Sequence, residues 1–368
     1  MQYWIINIIC GFCVSFFMSG ILIPQILLIA FRKKLFDEID ERKIHRIPVP
    51  RLGGLVFTPV ILFSVVLVVC FNIWLGYDAV LYNFFYNMSA FVSFICGLIL
   101  LYLVGIADDL VGVRYRAKFI VQILASLFLV FSGIWFKNFY GFCGLHQVNY
   151  IFGSILAVIL VVFIVNAINM IDGLDGLASG LAGVACFYYG ITFLGVRYYF
   201  YAIIAFVTLG VLIPFFYYNV FGDAEKQKKI FMGDTGSLTI GFILSLLSLK
   251  IVTIPASGIV WSYDPLVVAF APLMIPCLDV LRVFFHRIRC KRNPFLPDNN
   301  HIHHKILALG HDSRTVMVSL VFSSLISSIA NLILSKYIDI HILLLMNLLL
   351  YGVVNICITK KIQSKTVK

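Results

Sequence analysis

The chain has 368 residues, of which 61% are hydrophobic and 12% charged, with a mean hydropathy of +1.01. That balance excludes a soluble globular domain, whose apolar share is roughly 45–50%. The formal net charge of +11 points first to basic loops on the cytoplasmic side of a membrane and only second to an anionic ligand.

Apolar runs of about 20 residues predict an all-α polytopic membrane protein. Eleven spans are expected, near 3–30, 54–75, 89–107, 118–136, 150–168, 178–195, 198–218, 235–255, 263–281, 315–334 and 341–358. Alternate loops divide the cations unequally: one set, with the tail from Lys360, holds 24 of the 28 Lys and Arg. The other set holds Lys137, Arg197, Lys250 and Lys336. The positive-inside rule then puts the N-terminus outside and the C-terminus in the cytoplasm; an external C-terminus would reduce the count to ten spans. The stretch MQYWIIN lacks a basic segment and the first apolar run is too long for a signal peptide, so the first span is expected to be retained. Residues 1–368 read as one domain without internal repeats. Of the nine cysteines, Cys10 and Cys13 form a CxxC inside the first span, where they read as packing residues.

Taken in chain order, the polar exceptions all fall in the loops assigned to the cytoplasm. KIHRIPVPRLGG contributes Arg46, two stiffening prolines and the pair Gly53 and Gly54, which permits close helix packing. At the end of the third span stand Asp108 and Asp109, adjacent carboxylates that either share a cation or drive one pKa up, followed by Arg114, Arg116 and Lys118. Carboxylates at a span's edge are costly, and clusters that remain there mark ion, proton or phosphate sites. The run NAINMIDGLDGLASG places Asn166, Asn169 and Asp172 on one helix face, and its glycines allow a turn that brings backbone N–H groups close to a ligand, beside Asp175. FMGDTGSL then sets Asp234, Thr235 and Ser237 at a helix N-terminus suited to phosphate. Hard oxygen ligands such as Asp234 and Asn169 suit Mg²⁺ or Mn²⁺ rather than zinc. The last cytoplasmic loop joins Arg287, Arg289, Lys291 and Arg292 to His301, His303 and His304, a set fit to hold a pyrophosphate; it lacks the further Cys or His that a zinc site needs.

KIHRIPVPRLGG, ADDLVGVRYRAK, NAINMIDGLDGLASG, FMGDTGSL and PDNNHIHHKI, in this order over residues 32–310, resemble the polyprenyl-phosphate N-acetylhexosamine-1-phosphate transferases of glycosyltransferase family 4. The resemblance implies a helical bacterial inner-membrane enzyme that uses Mg²⁺, with Mn²⁺ as a substitute. It would transfer a sugar 1-phosphate from a UDP-N-acetylhexosamine to undecaprenyl phosphate at the cytoplasmic face. It also implies Asp234 and Asn169 as metal ligands, and Asp108 or Asp109 as the group that deprotonates or positions the lipid phosphate. Asp175 and Phe231 would meet the uracil, and His301, His303 and His304 the pyrophosphate or sugar, while Asp172, Asn219, Lys118 and Arg46 complete the substrate-binding set. The expected partners are the two substrates, the lipid bilayer and a second copy of the chain, with no nucleic acid. The PDxxHIHH form and PVPRLGG resemble the branch that uses UDP-GlcNAc to begin O-antigen, common antigen or teichoic acid linkage synthesis. The alternatives are the peptidoglycan branch, which uses UDP-MurNAc-pentapeptide, and a secondary transporter for an anion, which would need charges near mid-membrane. The chain departs from the family pattern in its longer GDAEKQKK connection and in lacking a glycine before Asn293.

Overall fold

The computed structural model describes residues 2–35, 49–77, 87–254, 263–291 and 300–366. Within them the chain forms thirteen α-helices and no strand beyond one isolated bridge, Asn138 to Gln147. The helices are α1 (Gln2–Lys33), α2 (Phe57–Trp74), α3 (Met88–Val111), α4 (Tyr115–Phe131), α5 (Tyr150–Ile171), α6 (Leu177–Gly195), α7 (Tyr199–Val220), α8 (Gly233–Thr253), α9 (Pro265–Phe270), α10 (Met274–Arg289), α11 (Ile302–Ala308), α12 (Ser313–Leu334) and α13 (Ile340–Thr366). Each expected span falls on a helix, and ten segments, α9 and α10 counted together, are long and apolar enough to cross a membrane. The eleventh, α4, has 17 residues rather than the expected 118–136. At about 1.5 Å per residue it falls a few ångströms short of a hydrocarbon core about 30 Å thick. It stops at Phe131 because Gly133 turns the chain at φ +89° into the loop that carries the Asn138–Gln147 bridge. The expected span 263–281 is broken by a 3-10 turn at Ala271–Leu273 and then runs on to Arg289.

Helix starts follow local chemistry. Asn149, Asp264 and Asp312 each turn a side-chain oxygen onto the first free N–H groups of α5, α9 and α12, and Pro265 supplies the fixed φ that a first turn favours. In lipid no hydrophobic gain separates helix from helix, so close backbone approach and buried amides do the joining. Gly241 of α8 sits so near α5 that a Cβ would come within 2.7 Å of Val165 Cα. Amide pairs link α1 to α2 (Asn72 to Asn7, 2.6 Å), α4 to α5 (Asn166 to Gln122, 2.6 Å) and α12 to α13 (Asn347 to Asn331, 2.6 Å).

The centre of the bundle is α8, 94% of whose span is buried. It is packed by α3, α5, α6 and α9, while α7 lies against α6 and α1 against α7. The outermost helix is α13, only 11% buried along its span. One end of α8 collects the polar residues.

Candidate active site

The start of α8 is built by close approach of three segments. Gly54 abuts Gly236, where a Cβ would stand 2.1 Å from the Gly236 nitrogen, and Gly105 of α3 meets Thr235 in the same way at 2.4 Å. Gly233, at φ +71°, occupies left-handed space that a side chain would strain and also fill against Arg51 and Asp109. Backbone bonds fasten the segment just before α2 to this point: Phe231 N–H donates to Pro50 O, Gly53 N–H to Phe231 O and Gly54 N–H to Met232 O, each at 2.9 Å.

Asp109 caps α8 from α3. One of its oxygens accepts from Asp234 N–H at 2.7 Å, and the other from Thr235 N–H at 2.9 Å and the Thr235 hydroxyl at 2.5 Å. These are N–H groups that a helix cannot satisfy by itself, and a negative charge is favoured there. Asp108 faces elsewhere: one oxygen takes Val113 N–H at 2.7 Å and the other lies 2.7 Å from Lys118 Nζ. Lys118 in turn reaches Asp234 at 2.5 Å, bridging the two carboxylates. Asn169 arrives from α5 and donates to the Ser237 hydroxyl at 2.8 Å, which leaves its side-chain oxygen uncommitted to that bond. Asp108, Asp109 and Asp234 can each offer an oxygen within 4.8 Å of the others. Three carboxylates and an amide oxygen against one lysine form a hard, negatively charged donor set, which suits a divalent cation.

The turn after α5 brings up the second pair. Asp172 ends α5, and burial, then the charge on Asp234, lift its pKa to about 7 against the pull of Arg51. Asp175 pairs with Lys229 at 2.6 Å. Asn219 is 5% exposed and both ends of its amide hold main chain: it accepts from Gly176 N–H at 2.6 Å and donates to Ile230 O at 2.8 Å. It thus ties the GLDG turn to the segment that leads into α8. Asn166, predicted on one face with Asn169, turns instead to Gln122 of α4.

The histidine loop completes the wall. His301 precedes α11 and its Nδ1 lies 2.8 Å from Asp279 of α10. His303 is fully buried, stacks near His301 and His304, and has no hydrogen-bond partner for either ring nitrogen among the described residues. It lies against Gly173, where a Cβ would come within 2.7 Å of His303 Nε2. Burial, then the neighbouring histidines His304 and His301, push its pKa down to about 3, so the ring is neutral at working pH and donates at most one hydrogen bond. Arg46, Arg292, Pro297 and Asp298 lie outside the described residues.

Three contributors escape the sequence reading: Lys229, Asp279 and Tyr351. Lys229 hides in the GDAEKQKK connection, where three lysines look alike. The signal for Asp279 was a lone carboxylate inside an apolar run, and for Tyr351 a polar residue every fourth position in the last helix, Asn347, Tyr351, Asn355 and Thr359.

Comparison with known proteins gives the following. The model of glycosyl transferase family 4 matches residues 91–252. A decaprenyl-phosphate N-acetylglucosaminephosphotransferase of Mycobacterium tuberculosis is 31% identical over 295 residues, 76% of this chain and 70% of the relative. A probable undecaprenyl-phosphate N-acetylglucosaminyl 1-phosphate transferase of Bacillus subtilis is 28% identical over 90% of this chain and 86% of its own length. An undecaprenyl-phosphate alpha-N-acetylglucosaminyl 1-phosphate transferase of Salmonella typhi is 27% identical over 81% of this chain and 76% of the relative.

Proposed function

This chain belongs to glycosyl transferase family 4, and from that membership and the geometry of its site we propose that it transfers N-acetylglucosamine 1-phosphate from UDP-N-acetylglucosamine to undecaprenyl phosphate. The observation that carries this reading is the meeting of Asp108, Asp109 and Asp234 within 4.8 Å at helix ends, beside Lys118. An oxygen of the lipid phosphate bonds to the β-phosphorus of the nucleotide sugar, the bond from that phosphorus to the bridging oxygen breaks, and UMP leaves with the oxygen.

Both reactants are anions, so the work of the protein is to offset their repulsion and align them. Asp234 and the side-chain oxygen of Asn169 would hold Mg²⁺, with Mn²⁺ as a substitute; when bound it would neutralise charge on the pyrophosphate. Asp108 takes or positions the proton of the lipid phosphate, because the oxygens of Asp109 are committed to the start of α8. Lys118, freed from one carboxylate, meets the phosphates. Asp175 and Phe231 face the uracil, Lys229 holds Asp175 in place, and Asn219 fixes the turn that carries them. Asp172 and Arg46 line the donor side. His303 gives a neutral hydrogen bond to the pyrophosphate or sugar, with His301 and His304 beside it. The active site faces the cytoplasm of a bacterial inner membrane, and the product begins a cell-surface polysaccharide of the O-antigen, common antigen or teichoic acid type. The names of the relatives do not favour the peptidoglycan alternative, and membership in a transferase family does not favour a transporter.

The test is to incubate membranes holding the protein with undecaprenyl phosphate and each of UDP-GlcNAc, UDP-GalNAc, UDP-QuiNAc, UDP-FucNAc and UDP-MurNAc-pentapeptide, and to measure UMP. Release with UDP-GlcNAc alone, or much the fastest with it, is the expected result; release only with the pentapeptide donor would reverse the assignment. A reporter fused after Lys368 is expected to read cytoplasmic, since Lys360, Lys361, Lys365 and Lys368 follow the last span. An external reading would require a different number of crossings. Replacing His303 with Ala is expected to weaken use of the UDP-sugar by about 1–3 kcal/mol, the cost of one buried hydrogen bond, with little change toward undecaprenyl phosphate. Loss of affinity for the lipid alone would remove His303 from the donor side.

A further inference from the structure

The carboxylate of Asp279 is wholly buried and takes four donors from three helices and the turn before one of them. They are Arg282 Nη2 at 2.8 Å, His301 Nδ1 at 2.8 Å, Ile302 N–H at 3.0 Å and the Tyr351 hydroxyl at 2.8 Å. Arg282 also donates to Asn300 O, so the same arginine grips the chain one residue before the histidines. A carboxylate only accepts, so at this separation His301 carries a hydrogen on Nδ1, and Nε2 is the ring nitrogen left for any other partner. The backbone bond to Ile302 meanwhile fixes the first turn of α11, the turn that presses His303 against Gly173.

The fourth donor comes from α13, the helix with the least burial of all. Its polar residues recur every fourth position on one face, and each finds a partner: Asn347 meets Asn331, Tyr351 meets Asp279, and Asn355 and Thr359 both take Lys305 Nζ, at 3.4 and 3.1 Å. Lys365 Nζ then donates to Leu309 O at 2.6 Å. Thus α13 holds α11 directly at Lys305 and just past its end at Leu309, and reaches its start only through Asp279 of α10. A helix held to lipid-facing surface by apolar contact alone would need none of these bonds.

Resting on the reading that the histidine helix contacts the nucleotide sugar, we propose that Asp279 and Tyr351 are positioning residues for the donor substrate. Asp279 sets the proton and orientation of His301, and Tyr351 holds Asp279 to that task from the last helix, as a carboxylate behind a functional histidine does elsewhere. Neither touches substrate or reacting atoms.

The experiment compares Tyr351→Phe and Asp279→Asn with the parent protein in detergent or membranes, measuring KM for the UDP-sugar, KM for undecaprenyl phosphate, kcat and the thermal transition. Tyr351→Phe keeps the ring and removes only the hydroxyl. It is expected to raise KM for the UDP-sugar about fivefold to tenfold, with kcat and KM for the lipid within twofold. Asp279→Asn is expected to raise it at least thirtyfold. A merely structural role would lower kcat through fewer folded molecules while leaving both KM values alone, and that outcome overturns the proposal, as does an equal rise for donor and lipid. If Asp279→Asn does not fold, Tyr351→Phe decides alone. Should the parent protein release UMP from another UDP-sugar, that sugar replaces UDP-GlcNAc in the measurement; release from none would bring down the function reading and this proposal together.

Discussion

Replacing Asp234 with Asn is expected to cut UMP release at least a thousandfold while leaving the protein folded in the membrane. A thousandfold is about 4 kcal/mol of transition-state stabilisation, at 1.36 kcal/mol per factor of ten. The size follows from the position of the residue: it lies in the first turn of the buried helix α8, 2.5 Å from Lys118, and shares a 4.8 Å cluster with Asp108 and Asp109. Removing its charge takes one hard ligand from the set that Asn169 completes, and leaves Lys118 paired with Asp108 alone. The fold should survive because the cap on α8 comes from Asp109 and uses the backbone N–H of residue 234, which the substitution keeps. EDTA should abolish activity in the parent protein and Mg²⁺ should restore it. Near-normal turnover of the variant, or full activity in EDTA, would sink the assignment of a metal to these residues.

The neighbouring aspartates should separate into chemistry and architecture. Asp108→Asn is expected to lower kcat about a hundredfold to a thousandfold with an unchanged thermal transition, since general acid–base work is worth about that much and the residue's backbone bond to Val113 N–H survives as a bond to an amide oxygen. Asp109→Asn puts an NH₂ group where one oxygen now accepts, against either Asp234 N–H or the Thr235 pair. A buried donor facing a donor costs about 1–3 kcal/mol, so the expected loss is in stability and yield of folded protein. Measured per folded molecule, Asp109→Asn should retain far more activity than Asp108→Asn. The reverse ranking would give Asp109 the chemistry and Asp108 the frame.

The placement of the apolar spans was legible because a bilayer demands about 20 apolar residues per crossing and this chain supplies them in runs, although ten rather than eleven helical segments among the described residues reach that length. Boundaries were less so: nothing in the 118–136 run shows that Gly133 leaves the helix, since glycine is tolerated inside membrane helices. The cluster of Asp108, Asp109 and Asp234 was legible for an energetic reason, as carboxylates at the edge of lipid are costly and stand out. Their division of labour was not. Adjacent residues on a helix point about 100° apart, and only the position of α8 decides which carboxylate meets its N-terminus. Asn219 reads in sequence as one more polar residue at a span's end, yet the structure commits its amide to two main-chain groups distant in sequence, Gly176 and Ile230. Asp279 and Tyr351 are 72 residues apart, and a pairing of that kind has no local signature.

That separation also bears on how the protein is made. Asp279 inserts into the membrane well before Tyr351 has been synthesised, so for a time its buried carboxylate has only Arg282 and, a little later, His301 and Ile302 as donors. The bonds from α13 to Asp279, Lys305 and Leu309 can close only once α13 has been made. A chain cut between α12 and α13 would keep Asp108, Asp109, Asp172, Asp175, Asp234 and the three histidines, but its histidine helix would lack every bond from α13.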